Sequence, residues 1–134
     1  MLTIKKSIIS ILLLVLTILV IGINAFAASN WNVILPDDKG NTDLASNKKD
    51  AEYNNTAYAA LDSMGGSYTK MNVWVRTGVN GTGKQVSGVF IIYEGQGYVS
   101  APISGVSNGT YTYLRGENYK DTYVTVSAQG RYFN

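Results

Sequence analysis

Residues 67–76 read Ser-Tyr-Thr-Lys-Met-Asn-Val-Trp-Val-Arg, and this stretch decides the fold class. Met71, Val73 and Val75 alternate with larger polar or amphipathic side chains. A period of two over such a length predicts a β-strand with one face in a core. The opposite face of this strand carries Tyr68, Asn72, Trp74 and Arg76.

The chain on both sides of this strand has the same character from residue 57 to residue 134. It is rich in Tyr, Val, Thr and Gly, with turn formers such as Asn80-Gly81 at short intervals, which is typical of an all-β domain. Further strands are predicted at residues 86–93, 98–103, 110–115 and 122–128, with Gly130 ending the last one. Residues predicted to face inward are Met71, Val73, Val75, Val89, Ile91, Val99, Ile103, Leu114, Val124 and Val126.

Residues 56–64 are compatible with two structures. A short helix would begin at Thr56 and end at Gly65-Gly66, whereas a strand would place Ala57, Ala59 and Leu61 inward and turn through residues 63–66 as a hairpin. We favour the strand, because the rest of the region is β. With residues 31–35 this makes seven short strands, which predicts a small antiparallel β-sandwich, with an open barrel as the alternative.

The first 56 residues differ from this domain. A basic start, an apolar run over residues 8–23 and Ala25-Phe26-Ala27 predict a signal peptide at 1–27, cleaved after Ala27, and hence a secreted protein. Contact with a membrane is expected only through this leader before cleavage. Residues 28–56 are predicted to hold one short strand, ending before Pro36, and a polar loop or arm over 37–56. The β-sandwich domain is predicted to span 57–134.

Composition excludes several classes of function. Removing Lys5 and Lys6 with the leader leaves nine basic residues, which match the nine acidic ones, so the mature protein lacks the basic excess of nucleic-acid-binding proteins. The chain has no His and no Cys, which excludes catalytic triads and leaves zinc without good ligands. We therefore expect no catalytic residues, no metal and no cofactor.

The ten tyrosines are the main functional signal. Tyr and Trp beside Arg can stack on sugar rings or hold a pyrophosphate, although cross-strand aromatic pairs also stabilise small sheets without any ligand. The predicted ligand-binding face consists of Tyr68, Trp74, Arg76, Tyr111, Tyr113 and Arg115.

The overall layout carries a resemblance, together with Tyr-Leu-Arg-Gly-Glu-Asn at 113–118 and Val-Thr-Val-Ser-Ala-Gln-Gly-Arg-Tyr at 124–132. The chain resembles a family of small exported proteins of unknown function from Gram-positive bacteria. More loosely, it is similar to lactococcin-type bacteriocins, which are exported, cysteine-free β-sandwiches that bind the cell-wall precursor lipid II. This chain departs from them in its longer mature region, its lack of His and its polar arm, and no functional residue is transferred.

These observations lead to one favoured function and two alternatives. We expect a secreted, non-enzymatic protein that binds a cell-envelope component, such as a cell-wall precursor, as a bacteriocin-like effector or accessory protein. The first alternative is a structural or adhesive cell-surface protein, because Tyr- and Gly-rich strands can pair edge to edge. The second is a carboxylate-based hydrolase of cell-wall glycan, which would need two acids such as Glu94 and Glu117 in one groove.

Overall fold

A computed structural model describes residues 27–134, so the predicted signal peptide lies outside the described residues apart from Ala27. Between residues 27 and 134 no helix is long and apolar enough to traverse a bilayer; the helical content there is one 3-10 turn, Ala51–Tyr53. The strands are β1 (Ser29–Leu35), β2 (Thr42–Lys48), β3 (Thr56–Met64), β4 (Lys70–Arg76), β5 (Phe90–Tyr93), β6 (Val99–Pro102), β7 (Tyr111–Asn118) and β8 (Val126–Phe133).

The eight strands form two four-stranded antiparallel sheets. Sheet A has the order β1-β8-β3-β6, and sheet B has the order β2-β7-β4-β5. Their inner faces enclose one hydrophobic cluster to which both sheets contribute, including Leu35 and Leu61 from sheet A and Met71 and Leu114 from sheet B. The predicted all-β sandwich is confirmed, with eight strands in place of seven.

A buried hydrogen-bond network joins the two sheets through this core. The Tyr132 hydroxyl on β8 lies 2.6 Å from Oγ1 of Thr112 on β7, and Asn134 Nδ2 donates to the same Thr112 oxygen at 2.7 Å. All three residues are buried. Because the Tyr132 hydroxyl and Thr112 lie on strands of different sheets, the network ties the two sheets together.

Gly130 lies within β8, where the sequence predicted a break. Its neighbour across the strand pair is Trp31 of β1, whose indole occupies the space above the glycine. A Cβ at this position would lie 2.3 Å from Trp31 Cζ2 and 2.0 Å from the Ala60 carbonyl oxygen. The glycine is therefore required for close packing, and β8 continues through it to Phe133.

The predicted polar loop or arm over residues 37–56 is wrong at β2. The residues of β2 pair with β7 at the edge of sheet B, from Thr42 opposite Gly116 to Lys48 opposite Tyr111. Leu44 is the one buried side chain of the strand. An edge strand with a single core residue has no hydrophobic period, which is why the sequence pattern did not reveal it.

The strand interpretation of residues 56–64 is confirmed by β3, in which Ala57, Ala59 and Leu61 are fully buried. The hairpin turn predicted after it is wrong, because β3 and β4 belong to different sheets and the chain crosses from sheet A to sheet B there. Pro102 ends β6, an edge strand, as predicted for a residue without a backbone N–H.

Three predicted core residues face outward. Val89 and Val124 are 60% and 58% exposed, because β5 and β8 begin only after them, at Phe90 and Val126. Ile91 is half-buried on the outer side of sheet B, since its neighbour Ile92 takes the inward position. Apolar residues in a row leave the phase of a strand ambiguous, and the wrong phase was chosen for β5.

Candidate functional site

The outer face of sheet B collects most of the predicted ligand-binding residues. In the register of β4 and β7, Trp74 lies opposite Arg115 and Arg76 lies opposite Tyr113. Tyr111 continues the same side of β7 with the period of two. Five of the six predicted residues thus share one face. The sixth, Tyr68, precedes β4 and packs partly against the core.

Both arginines at the centre of this face are used inside the protein. Arg115 Nη1 lies 2.7 Å from the Asp43 carboxylate on β2. Arg76 donates from Nε to the Thr82 carbonyl at 3.1 Å and from Nη2 to the Gly83 carbonyl at 2.7 Å. Each guanidinium therefore fixes a neighbouring strand or loop, using two of its five N–H donors.

Trp74 is also withdrawn from solvent, with 8% of its surface exposed. The loop after β4 lies back across the face: the Asn80 backbone N–H donates to the Asp43 carboxylate, and a Cβ at Gly81 would lie 3.1 Å from the Arg115 guanidinium carbon. This loop and its ion pair occupy the middle of the face. Trp74 thus stabilises sheet B and does not form an open stacking surface.

The two ends of the face present lysines against tyrosine rings. At one end Lys70 Nζ lies 3.9 Å from the ring centroid of Tyr119 and 5.6 Å from that of Tyr93. At the other end Lys48 Nζ lies 6.0 Å from the ring of Tyr111, which is 55% exposed. A cation over an aromatic face is attracted by the ring quadrupole, so the two tyrosines restrain the position of Lys70.

A cleft of about 270 Å³ opens beside Lys70, and its lining residues are Ser67, Tyr68, Thr69, Lys70, Tyr119 and Lys120. Within residues 27–134, the ion pairs use other cations: Lys39 with Asp121, Arg115 with Asp43, and Arg131 with Asp62. The two lysines of the cleft form no ion pair with a carboxylate among the described residues. We call this group of residues the lysine cleft.

Buried contacts fix the wall of the lysine cleft. Asn118, at the end of β7, donates from Nδ2 to the Pro36 carbonyl at 3.1 Å and to Thr122 Oγ1 at 3.2 Å. The Thr122 carbonyl in turn accepts from the Asp38 backbone N–H at 2.8 Å. Asn118 and Thr122 are both buried. Tyr119 and Lys120 lie between these two anchors, so their backbone is positioned before any ligand arrives.

Lys70, Tyr93, Tyr119 and Lys120 were missed as site residues by the sequence analysis. The predicted strand ended at residue 115, whereas β7 extends to Asn118. The signal was present in the alternation Tyr111, Tyr113, Arg115, Glu117, Tyr119, which continues along one face beyond the predicted end of the strand. Tyr93 belongs to the same row because it lies opposite Lys70 on β5.

The described carboxylates are dispersed among structural contacts. Glu117 accepts a hydrogen bond from Asn72 Nδ2 at 3.0 Å, and Glu94 accepts one from the Met64 backbone at 3.2 Å. Residues 27–134 contain no group of three or more acidic, His or Cys side chains that could hold a metal ion. The chemistry that the lysine cleft offers is the binding of an anion beside aromatic rings.

Comparison of the chain with protein-family models, with curated proteins and with solved structures gives no match.

Proposed function

We propose that this protein is a secreted, non-enzymatic β-sandwich that binds a phosphate-bearing component of the cell envelope, as a bacteriocin-like effector or accessory protein. The observation that carries the proposal is the lysine cleft. Lys70 is held between two tyrosine rings, Lys120 lies beside it, and neither lysine has a carboxylate partner among the described residues.

The chemistry of the cleft fits a phosphate or pyrophosphate group. Lysine ammonium groups bind phosphate as point charges, and the hydroxyls of Ser67, Thr69 and Tyr119 supply further hydrogen-bond donors around the lining. The tyrosine rings offer apolar surface to a sugar or lipid attached to the phosphate. Because basic and acidic residues balance after removal of Lys5 and Lys6, attraction of an anion depends on this local pair and not on a field of the whole protein.

The proposed binding site lies on the predicted face of sheet B, but at one end of it and not at its centre. The sequence analysis placed it around Trp74, Arg76 and Arg115, which are engaged in contacts within the protein. The lysine cleft lies at one end of the same face and retains one predicted residue, Tyr68. A lipid-linked cell-wall precursor combines a pyrophosphate with a sugar and a lipid chain, and so matches both the lysines and the tyrosines.

The test uses protein recovered from the culture medium of an expressing Gram-positive host, which also tests export. Flotation with neutral phospholipid vesicles, with and without lipid II, measures binding. Lys70→Gln and Lys120→Gln each remove one cleft charge, and Lys84→Gln removes one charge from the exposed loop that follows β4. We expect each cleft variant to weaken binding about tenfold, the scale of one lost charge-assisted hydrogen bond, and the Lys84 variant to bind normally.

Equal binding to vesicles with and without lipid II, or unchanged binding by both cleft variants, contradicts the proposal. Light scattering on the same samples addresses the structural or adhesive alternative. Oligomers that grow with concentration, combined with no lipid II binding, support that alternative. Growth inhibition measured in parallel separates a bacteriocin-like effector from an accessory protein that binds without killing.

A further inference from the structure

The outer face of sheet A, on the other side of the sandwich from the lysine cleft face, carries a polar depression. It has a volume of about 310 Å³. Three exposed carboxamide side chains and one carboxylate border it, above the backbone of Trp31 and Gly130: Asn30, Asn32, Gln129 and Asp62. No hydrogen bond within the described residues uses the side chains of Asn30, Asn32 or Gln129. Their donors and acceptors are open to a ligand.

An ion pair closes one side of this depression. Arg131 of β8 binds the Asp62 carboxylate with two nitrogens, at 2.7 Å from Nη2 to Oδ1 and 3.0 Å from Nε to Oδ2. The hydrogen bond to Asp62 raises the pKa of Arg131 above its ordinary value. The ion pair as a whole carries no net charge. It offers both acceptor and donor atoms to solvent, since the side chains of Asp62 and Arg131 are 42% and 40% exposed.

Arg131 also connects the depression to a strip of aromatic rings. Its guanidinium carbon lies 4.9 Å from the ring centroid of Tyr98. The ring centroids of Tyr98 and Phe133 lie 4.9 Å apart. Phe133 stacks on Tyr58 with ring centroids 4.7 Å apart and an interplanar angle of 14°. Tyr53 completes the strip, 4.8 Å from Phe133. These rings lie outside the hydrophobic cluster between the sheets, so the core does not account for them.

We propose that this face of sheet A binds a neutral saccharide. A sugar presents neighbouring hydroxyls that both donate and accept, and carboxamides and a carboxylate–guanidinium pair match that pattern. Its C–H surface needs an apolar partner, which Tyr98 and the adjoining rings supply. The charge is balanced across Asp62 and Arg131, so the site favours an uncharged ligand, whereas the lysine cleft favours an anion.

This inference goes beyond the proposed function, because it assigns a second site on the opposite sheet. The two sites share no residue: the depression and the aromatic strip belong to β1, β3, β8 and the segments around Tyr53 and Tyr98, and the lysine cleft belongs to the ends of β4 and β7. A protein with both sites would hold the sugar portion of the cell envelope with one face and a phosphate group with the other.

The test is titration of the secreted protein with chitotetraose, cellotetraose and maltotetraose. Binding is measured by calorimetry and by NMR of the side-chain amides. We expect at least one of these neutral glycans to bind and to shift the Asn30, Asn32 and Gln129 amide signals. The double variant Asn32→Ala/Gln129→Ala should bind it at least tenfold more weakly. Both side chains are exposed and unbonded within the described residues, so the variant keeps the fold.

Asn41→Ala is the matched control, because it removes an exposed carboxamide next to sheet B; its glycan affinity should equal that of the wild type. Absence of heat and of amide shifts with all three glycans overturns the inference, as does unchanged affinity in the double variant. The outcome is separable from that for the lysine cleft. Lys70→Gln should leave glycan binding intact, and the double amide variant should leave binding to lipid II vesicles intact.

Discussion

Tyr132 makes the stability of the sandwich sensitive to alkaline pH, and a single substitution can isolate this effect. Its side chain is fully buried between the sheets, and its hydroxyl bonds Thr112. Burial raises the pKa of Tyr132 above the ordinary value of 10.0. The folded protein therefore keeps the phenolic proton at pH values where the unfolded chain has lost it. Stability from this group is fully present below pH 10 and is lost as the pH rises above it.

The size of the effect follows from proton linkage. Each pH unit between the unfolded and folded pKa costs about 1.4 kcal/mol, so the free energy of unfolding should be about 2.7 kcal/mol lower at pH 12 than at pH 7. For a domain of this size, that loss lowers the melting temperature by about 10 °C or more. Tyr132→Phe removes the titrating group. It also loses one hydrogen bond, which costs about 1 kcal/mol at pH 7, while Thr112 keeps its bond from Asn134.

The stability curves of the two proteins should cross. The variant should be less stable by about 1 kcal/mol at pH 7 and more stable by about 1.7 kcal/mol at pH 12, from the same linkage and hydrogen-bond magnitudes. Urea unfolding followed by circular dichroism at pH 7, 9, 11 and 12 measures both. Tyr111→Phe is the control, because it removes the hydroxyl of a tyrosine that is 55% exposed and leaves the buried Tyr132 in place. Parallel curves for wild type and Tyr132→Phe would refute the reasoning.

Three further predictions concern two core positions and Arg115. Gly130→Ala should destabilise the protein by about 3 kcal/mol or prevent folding, because its Cβ would lie 2.3 Å from the Trp31 ring; thermal melting measures this. Leu61→Ala should cost about 2–5 kcal/mol in urea unfolding, since the side chain is fully buried. Arg115→Gln should lower the free energy of unfolding by about 1–3 kcal/mol by breaking the pair with Asp43, but should change affinity for lipid II vesicles less than twofold, because Arg115 lies outside the lysine cleft.

The strands that the sequence predicted well are those with one clearly apolar side. β4 alternates Met71, Val73 and Val75 inward, and all three are fully buried. β2 escaped prediction because only Leu44 enters the core, so a polar edge strand and a polar loop have the same composition. Gly130 was predicted to end the strand, whereas its role depends on Trp31 from a distant part of the chain. Long-range packing of this kind leaves no local pattern.

The sequence predicted which face of sheet B carries the candidate site, but not where along that face the site lies. Period-two alternation correctly placed Trp74, Arg76, Tyr111, Tyr113 and Arg115 on one side of sheet B. The contacts that occupy the arginines come from elsewhere: Asp43 lies on the unpredicted strand β2, and the carbonyls that Arg76 binds belong to the following loop. A sequence pattern shows which side chains share a face, but not which of them already have partners.

The arginines and the lysines have different roles in this protein because their side chains differ chemically. Arginine has a rigid planar group with five donors, suited to fixing carbonyls and carboxylates, and Arg76, Arg115 and Arg131 all bind within the protein. Lysine keeps a mobile point charge, and the aromatic contacts of Lys70 restrain its position without neutralising it. This protein has no disulfides, so arginines that connect strands and loops contribute to its stability. That contribution would be lost if the same arginines bound a ligand instead. Among the lysines without an ion pair in the described residues, Lys70 is the one that contacts two tyrosine rings, and the proposed site is built on it.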